Sequence, residues 1–301
     1  MNGFFNIMKP PGMTSAAVVA VMRRLTGEKR IGHAGTLDPE AAGVLPVMTG
    51  KAARLFDYLV DKEKEYEAVC AFGSSTDTQD ATGTVTETGD QYPSMDLVRE
   101  KAQELVGEIV QRPSMYSAIK VGGKPLYARA RKGETVEVPE RKVVIYSIDV
   151  AGEEPEHGVR MKIRCGKGTY IRTLCDDLGK KCGCPAHMRS LVRTRSGAFG
   201  IDTAIPLDEA RELAARGELA SKMIAPDAPL GHIAKADVPE KYRKMVVNGG
   251  KIPAGAFCED VSPDQIVRVY LEGQFWGIAQ RQGDLLVWKA QIAPEAVDSD
   301  Q

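Results

Sequence analysis

Apolar and polar residues alternate with a period of two over residues 64–73. Tyr66, Ala68, Cys70 and Phe72 fall on one side, Glu65, Glu67 and Val69 on the other, which predicts a half-buried strand. The same period recurs at 159–165, with Val159, Met161, Ile163 and Cys165 facing one way and Arg160, Lys162 and Arg164 the other. Val143–Val150 and Gly3–Met8 also read as strands, the latter broken by Lys9-Pro-Pro-Gly12, whose prolines cannot donate to a ladder. Residues 83–88 read as a strand after the polar turn at 74–82. Helical spacing places Val18, Val19, Met22 and Leu25 on one side of a segment capped by Thr14 or Ser15 and stopped by Gly27. Further helices are predicted from a Ser94 cap to about Val106, over 169–181 before Gly183, and from Pro206 to Arg216 before Gly217. Residues 30–50 are too apolar for a solvated linker and too broken by Gly and Pro for a regular element, so a structured, functional loop is expected. Past a boundary at 222–235 come a short helix, Glu240–Val247, and strands at 266–271, 275–280 and 284–292, the outline of a compact β-rich module.

A chain of 301 residues is long enough for two domains and for a core that needs no disulfide or structural metal. With 43% hydrophobic and 27% charged residues, disorder is excluded for most of it. The formal charge of −1 excludes a uniformly basic nucleic-acid coat, yet charge is unevenly placed. Residues 111–145 carry eight Lys/Arg against three Asp/Glu, and 160–195 carry ten against two. Such windows fit either a polyanion-binding face or solvated element faces that are basic. The N-terminus lacks a basic leader followed by an apolar core, and no run of 18 apolar residues exists, so a protein of the cytoplasm without a membrane span is expected. The six cysteines are then reduced, and Cys182-Gly-Cys184-Pro-Ala-His187 has no zinc-site spacing.

Chemistry concentrates in Gly32-His33-Ala34-Gly35-Thr36-Leu37-Asp38-Pro39. Proline biases Asp38 toward extended backbone, and the glycines permit close approach of a ligand. Taken alone, the segment reads either as a carboxylate poised for catalysis or as an Asp-Pro turn.

The stretch GHAGTLDPEAAGVLP resembles the catalytic motif of the TruB family of pseudouridine synthases at every fixed position. Other segments resemble the family in chain order: Lys9-Pro-Pro-Gly-Met-Thr-Ser15, Lys64-Glu-Tyr66, Thr76-Asp-Thr-Gln-Asp80, Pro113-Ser-Met-Tyr-Ser-Ala-Ile-Lys120, Lys167-Gly-Thr-Tyr-Ile-Arg172 and His187-Met-Arg-Ser-Leu191. The resemblance implies an α+β pseudouridine synthase fold with a mixed, mainly antiparallel sheet. It implies a catalytic domain over 1–230, with an RNA-gripping thumb at about 111–142, and a PUA-like domain over 231–301.

It further implies isomerisation of uridine to pseudouridine at T-loop position 55 of tRNA. The nucleotide is flipped out, its C1′–N1 bond broken and a C1′–C5 bond made, with no cofactor and no metal. Asp38 would be the catalytic carboxylate, Arg172 its partner, and Asp80 the group completing the charged network. Tyr66 would stack on the base, Tyr170 and Leu191 would line the uracil pocket, and His33 would enter the RNA loop. Lys120, Lys124, Arg129, Arg131 and Lys132 would meet phosphates. One basic window would thus lie on the thumb and the other around Tyr170, Arg172 and Leu191. Lys9 would support the scaffold. The partner is the tRNA T-arm, with no obligatory protein partner and a monomeric chain. Two alternatives remain at this point: an RNA-folding protein with dispensable catalysis, and the same chemistry on ribosomal RNA.

Overall fold

The computed structural model describes residues 1–60, 63–130, 132–134 and 136–293. The chain divides into two compact units, one of Met1–Pro39, Leu45–Val60 and Gly197–Gln301, the other of Glu40–Val44 and Asp61–Ser196.

In chain order the elements are β1 (Gly3–Lys9), α1 (Ser15–Thr26), β2 (Ile31–His33), β3 (Ala42–Thr49), α2 (Phe56–Val60), β4 (Lys64–Phe72), β5 (Ser74–Thr76), β6 (Val85–Thr88), α3 (Met95–Gln103) and β7 (Gly107–Gln111). They continue with β8 (Lys120–Val121), β9 (Lys124–Pro125), α4 (Leu126–Ala130), β10 (Arg141–Glu154), β11 (Gly158–Cys165), α5 (Ile171–Cys182), β12 (Ala186–Ser196), β13 (Phe199–Gly200), β14 (Ile205–Pro206) and α6 (Leu207–Ala215). The last are β15 (Ala234–Asp237), α7 (Arg243–Val247), β16 (Ile252–Pro253), β17 (Ile266–Leu271), β18 (Gln274–Gln282) and β19 (Leu285–Gln291).

Among the described residues the first unit holds two hydrophobic cores. In one, the apolar side of α1 (Val18, Val21, Met22) packs with Phe5 and Ile7 of β1, Leu45 and Val47 of β3, and Leu207, Ala210 and Leu213 of α6. Strand β1 lies between β14 and β3, parallel to β14, and β2 runs antiparallel to β3. The other core belongs to a separate five-stranded sheet ordered β15-β17-β18-β19-β16, with Val267, Val269, Ala279 and Leu286 inside it. The three C-terminal strands stand where they are predicted, to within two residues at each end. Strand β15 begins at the end of the stretch read as a boundary and went unpredicted, because its parallel pairing with β17 is long-range and leaves no local signal.

In the second unit, β12, β4, β11, β10 and β7 follow one another antiparallel, and the start of β3 joins β12 in parallel. The sheet is mixed and mainly antiparallel, as expected. Helix α5 covers the face bearing Tyr66, Ala68 and Cys70, and the Cys70 thiol reaches the Cys175 carbonyl at 3.7 Å. The stretch from Arg112 to Glu140 is inserted between β7 and β10, which pair with each other.

One expectation is corrected. Residues 30–50 are not one loop: they contain β2 and the whole of β3, and after β2 only 34–41 lacks regular structure. Strand β3 is buried at every residue from Gly43 to Thr49, so it shows the continuous apolar run of a strand covered on both sides. Gly43 is required by packing. At φ 110° its added Cβ would stand 2.2 Å from the Arg193 carbonyl oxygen.

Candidate active site

The Asp38 loop is fixed by two residues of the Lys9–Ser15 segment. Ser15 Oγ donates to the Leu37 carbonyl at 3.1 Å and accepts from the Leu37 N–H at 2.9 Å. Lys9, fully buried, donates from Nζ to the carbonyls of Pro10 and Pro39, both at 2.8 Å. Asp38 therefore sits between two tethered neighbours. Thr14 supplies the helix cap, accepting from Ala17 N at 3.1 Å, which frees Ser15 for the loop. Lys9 supports the scaffold as expected, and it does so on the residue after Asp38. His33 ends β2, half-buried and in register with Val47.

In the second unit the first turn of α5 is the organising point. Tyr170 precedes it, and the buried Gln111 side chain fastens Tyr170 at two points: Oε1 accepts from Tyr170 N at 3.0 Å and Nε2 donates to its carbonyl at 3.1 Å. The Arg141 guanidinium lies 5.8 Å from the Tyr170 ring centroid. Arg172 is 6% exposed at a helix N-terminus, where a cation is opposed by the helix dipole. Oxygen acceptors offset that cost. Nη1 donates to the Thr78 carbonyl at 3.0 Å and to Asp80 Oδ2 at 3.4 Å, and Nη2 donates to the Tyr116 carbonyl at 3.0 Å. The other Asp80 oxygen, Oδ1, accepts from Thr78 Oγ1, Thr82 N and Thr82 Oγ1 at 2.8, 3.0 and 2.6 Å. Arg172 and Asp80 are thus brought together, and Arg172 also holds the base of the thumb. Ser114 Oγ to the Thr78 carbonyl (3.4 Å) and Tyr116 OH to Asp77 Oδ2 (3.3 Å) add to that junction.

Tyr66 and Leu191 share a face. Leu191 stands opposite Ala68 across the β4–β12 ladder, and Arg193 opposite Tyr66. All three side chains are buried, at 8%, 7% and 1% exposure for Tyr66, Leu191 and Arg193. Sequence reasoning missed Arg193. Its Nε donates to the Val44 carbonyl at 2.8 Å, tying β12 to the segment that follows the Asp38 loop in sequence. The signal was available, since Arg193 lies two residues beyond Leu191 on the same side of a strand.

Part of the basic window at 160–195 lies off the face that carries Tyr66 and Leu191. Ile163 lies opposite Tyr66, so alternation puts Arg160, Lys162 and Arg164 on the other side of the sheet. Arg160 pairs with Glu154, Arg164 with Glu63 at 3.6 Å, and Arg195 with Glu65 at 3.4 Å. Lys180 and Lys181 pair with Asp176 at 2.7 Å and Glu104 at 2.8 Å. Glu63, Glu65 and Glu104, distant in sequence, neutralise part of that window in place.

On the thumb, Lys120, Lys124 and Lys132 are exposed. Arg129 turns inward, donating to the Val121 carbonyl at 3.0 Å, while Arg131 lies outside the described residues. In the Cys182–His187 segment, Cys184 is buried and His187 Nδ1 stands 2.9 Å from the Ser74 carbonyl. Among the described residues no group of three or more His, Cys, Asp or Glu could hold a metal ion, and no helix is long and apolar enough to cross a membrane.

A sheet strand presenting a buried tyrosine, a helix start presenting a buried arginine paired with an aspartate of the 77–82 turn, and a basic insertion held by that arginine suit an enzyme that handles an RNA base. Residues 23–171 match the N-terminal domain of the TruB family of pseudouridylate synthases, and residues 172–227 match the tRNA pseudouridylate synthase B C-terminal domain. The chain belongs to the TruB family of pseudouridylate synthases. It is 43% identical to tRNA pseudouridine synthase B of Alkaliphilus oremlandii (strain OhILAs), over 92% of each chain. It is 44% identical to tRNA pseudouridine synthase B of Caldanaerobacter subterraneus subsp. tengcongensis, over 94% of this chain and 96% of that one. Among solved structures it resembles a chain of a Cbf5–Nop10–Gar1 complex, with 27% identity, a TM-score of 0.69, and coverage of 94% of this chain and 79% of that one.

Proposed function

We propose that the protein isomerises uridine to pseudouridine in tRNA, at position 55 of the T-loop. The observation that carries the reading is the buried Arg172, which joins Asp80, the 77–82 turn and the thumb base in a chain of this family. The curated relatives at about 40% identity bear the name tRNA pseudouridine synthase B, which supports tRNA as substrate.

In this reading Asp38 acts on the nucleotide as its C1′–N1 bond breaks and the C1′–C5 bond forms; the C5 proton is then lost to a base and N1 takes up a proton, so that product and substrate are isomers. Attack by Asp38 on the nucleotide and abstraction of a ribose proton both require its ionised form. Arg172 and Asp80 are the charged network of the site. Tyr66 stacks on the flipped uracil, and Leu191 and Tyr170 wall the pocket that keeps the detached base. His33 enters the RNA loop as the base leaves the stack. Lys120, Lys124 and Lys132 meet phosphates. The module from about residue 231, with its own sheet and core, adds RNA affinity, and the protein works as a cytoplasmic monomer without an obligatory protein partner.

The test is a T-arm stem-loop RNA carrying tritium at uridine C5. The protein should release the label, and Asp38→Asn should release none while binding the RNA within several-fold of the parent. Folded parent protein that releases no label would overturn the enzyme reading, and an active Asp38→Asn would remove Asp38 from the chemistry.

A further inference from the structure

Gln79 lies between Thr78 and Asp80, whose oxygens both meet Arg172 Nη1, at 3.0 and 3.4 Å. Its backbone is left-handed, with φ 63°, a conformation unusual for a residue other than Gly, Asn or Asp. That reversal lets the carbonyl on one side and the carboxylate on the other converge on a single guanidinium nitrogen. The side chain holds the reversal in place. Gln79 Oε1 accepts from Thr173 Oγ1 at 2.8 Å, and Nε2 donates to Asp176 Oδ2 at 3.0 Å. Thr173 and Asp176 are buried on α5, one and four residues beyond Arg172. Helix α5 therefore grips the turn twice, through Arg172 on its flanks and through Thr173 and Asp176 at its centre. The Gln79 carbonyl also accepts from Met188 N at 3.0 Å, which leaves the turn little freedom to slide.

We infer that Gln79 is a positioning residue of the reaction, which sets the geometry between Arg172 and Asp80 through its clamp on Thr173 and Asp176. This rests on the function proposed above. Glycine adopts a left-handed backbone without strain, so Gln79→Gly removes the clamp and spares the turn. Single-turnover pseudouridine formation at saturating T-arm RNA should fall about tenfold or more in Gln79→Gly and in Thr173→Val, since small misplacements of catalytic groups weaken chemistry strongly. RNA Kd should stay within about threefold, because the loss falls on the chemical step rather than on binding. Thr173→Ser keeps the donor and should retain the parental rate. Should Gln79→Gly fail to fold, the Thr173 pair carries the test. A parental rate in Gln79→Gly and Thr173→Val, a loss confined to RNA affinity, or equal impairment of Thr173→Ser and Thr173→Val would overturn the inference. Active parent protein with unaffected variants sinks only the clamp, whereas an inactive parent sinks the functional reading together with it.

Discussion

Ser15→Ala removes one oxygen and leaves two backbone groups of the Asp38 loop without a partner. Ser15 is 2% exposed and Leu37 4%, so water does not readily replace Oγ at the Leu37 N–H and carbonyl. Each buried polar group left unsatisfied costs about 1–3 kcal/mol, which puts the pair at roughly 2 kcal/mol or more. For a unit of 150–250 residues each kcal/mol shifts Tm by about 2–4 °C, so a fall of about 4–8 °C is expected. If the loop instead opens to hydrate those groups, the stability loss shrinks and Asp38 moves. A displacement near 1 Å costs about a hundredfold in rate. The two readouts, a thermal melt followed by circular dichroism and single-turnover C5-label release, therefore trade against one another. Thr14→Ala is the contrast. It loses only the α1 cap, costs about 1 kcal/mol, and should leave the chemical step unchanged. Ser15→Ala with parental Tm and parental rate would refute the account, as would Thr14→Ala slowing chemistry more than Ser15→Ala.

Arg172→Lys keeps the charge but offers a point donor where the guanidinium reaches Thr78, Asp80 and Tyr116, so single-turnover rates should fall about a hundredfold, with the loss read in rapid-quench assays. Replacing Lys120, Lys124 and Lys132 together by Gln should reduce the slope of log K against log salt by about 2–3, measured by filter binding across a salt series, while chemistry at saturating RNA changes little. Burial pushes the Cys165 thiol up from its ordinary value of 9.0 to about 11. The folded state then holds a proton that the unfolded chain releases, so this contribution to stability is complete below pH 9 and is lost as pH rises through about 11. Urea midpoints followed from pH 8 to 11 should fall less steeply in Cys165→Ala than in the parent.

Elements with a local cause were legible in the sequence. Helix α1 begins at the Thr14 cap and ends at Gly27 in the left-handed conformation, and α5 ends the same way at Gly183. Strand β4 buries Tyr66, Ala68 and Cys70, the residues its alternation places on one side. Motif order brought Asp38, Tyr66, Asp80, Arg172 and Leu191 forward as one set. What stayed hidden has a long-range cause. Strand β3 looked broken because Pro46 and Gly43 are penalised locally, while the Arg193 backbone that requires Gly43 arrives 150 positions later. The charge at 160–195 looked like an RNA face because Glu63, Glu65 and Glu104, which neutralise part of it, lie far away in sequence.

The sequence by itself determined where strands and helices start and stop, which side of each is apolar, and which residue types are offered for chemistry. These follow from backbone sterics, capping and the periods of side-chain direction, all of which act within a few residues. Tertiary structure decided how those residues are aimed. Ser15 holds Leu37 across 22 residues, and Arg172 gathers Thr78 and Tyr116 across 94 and 56. Such hydrogen bonds depend on segments distant in sequence packing against one another, and they leave no periodic trace in the chain.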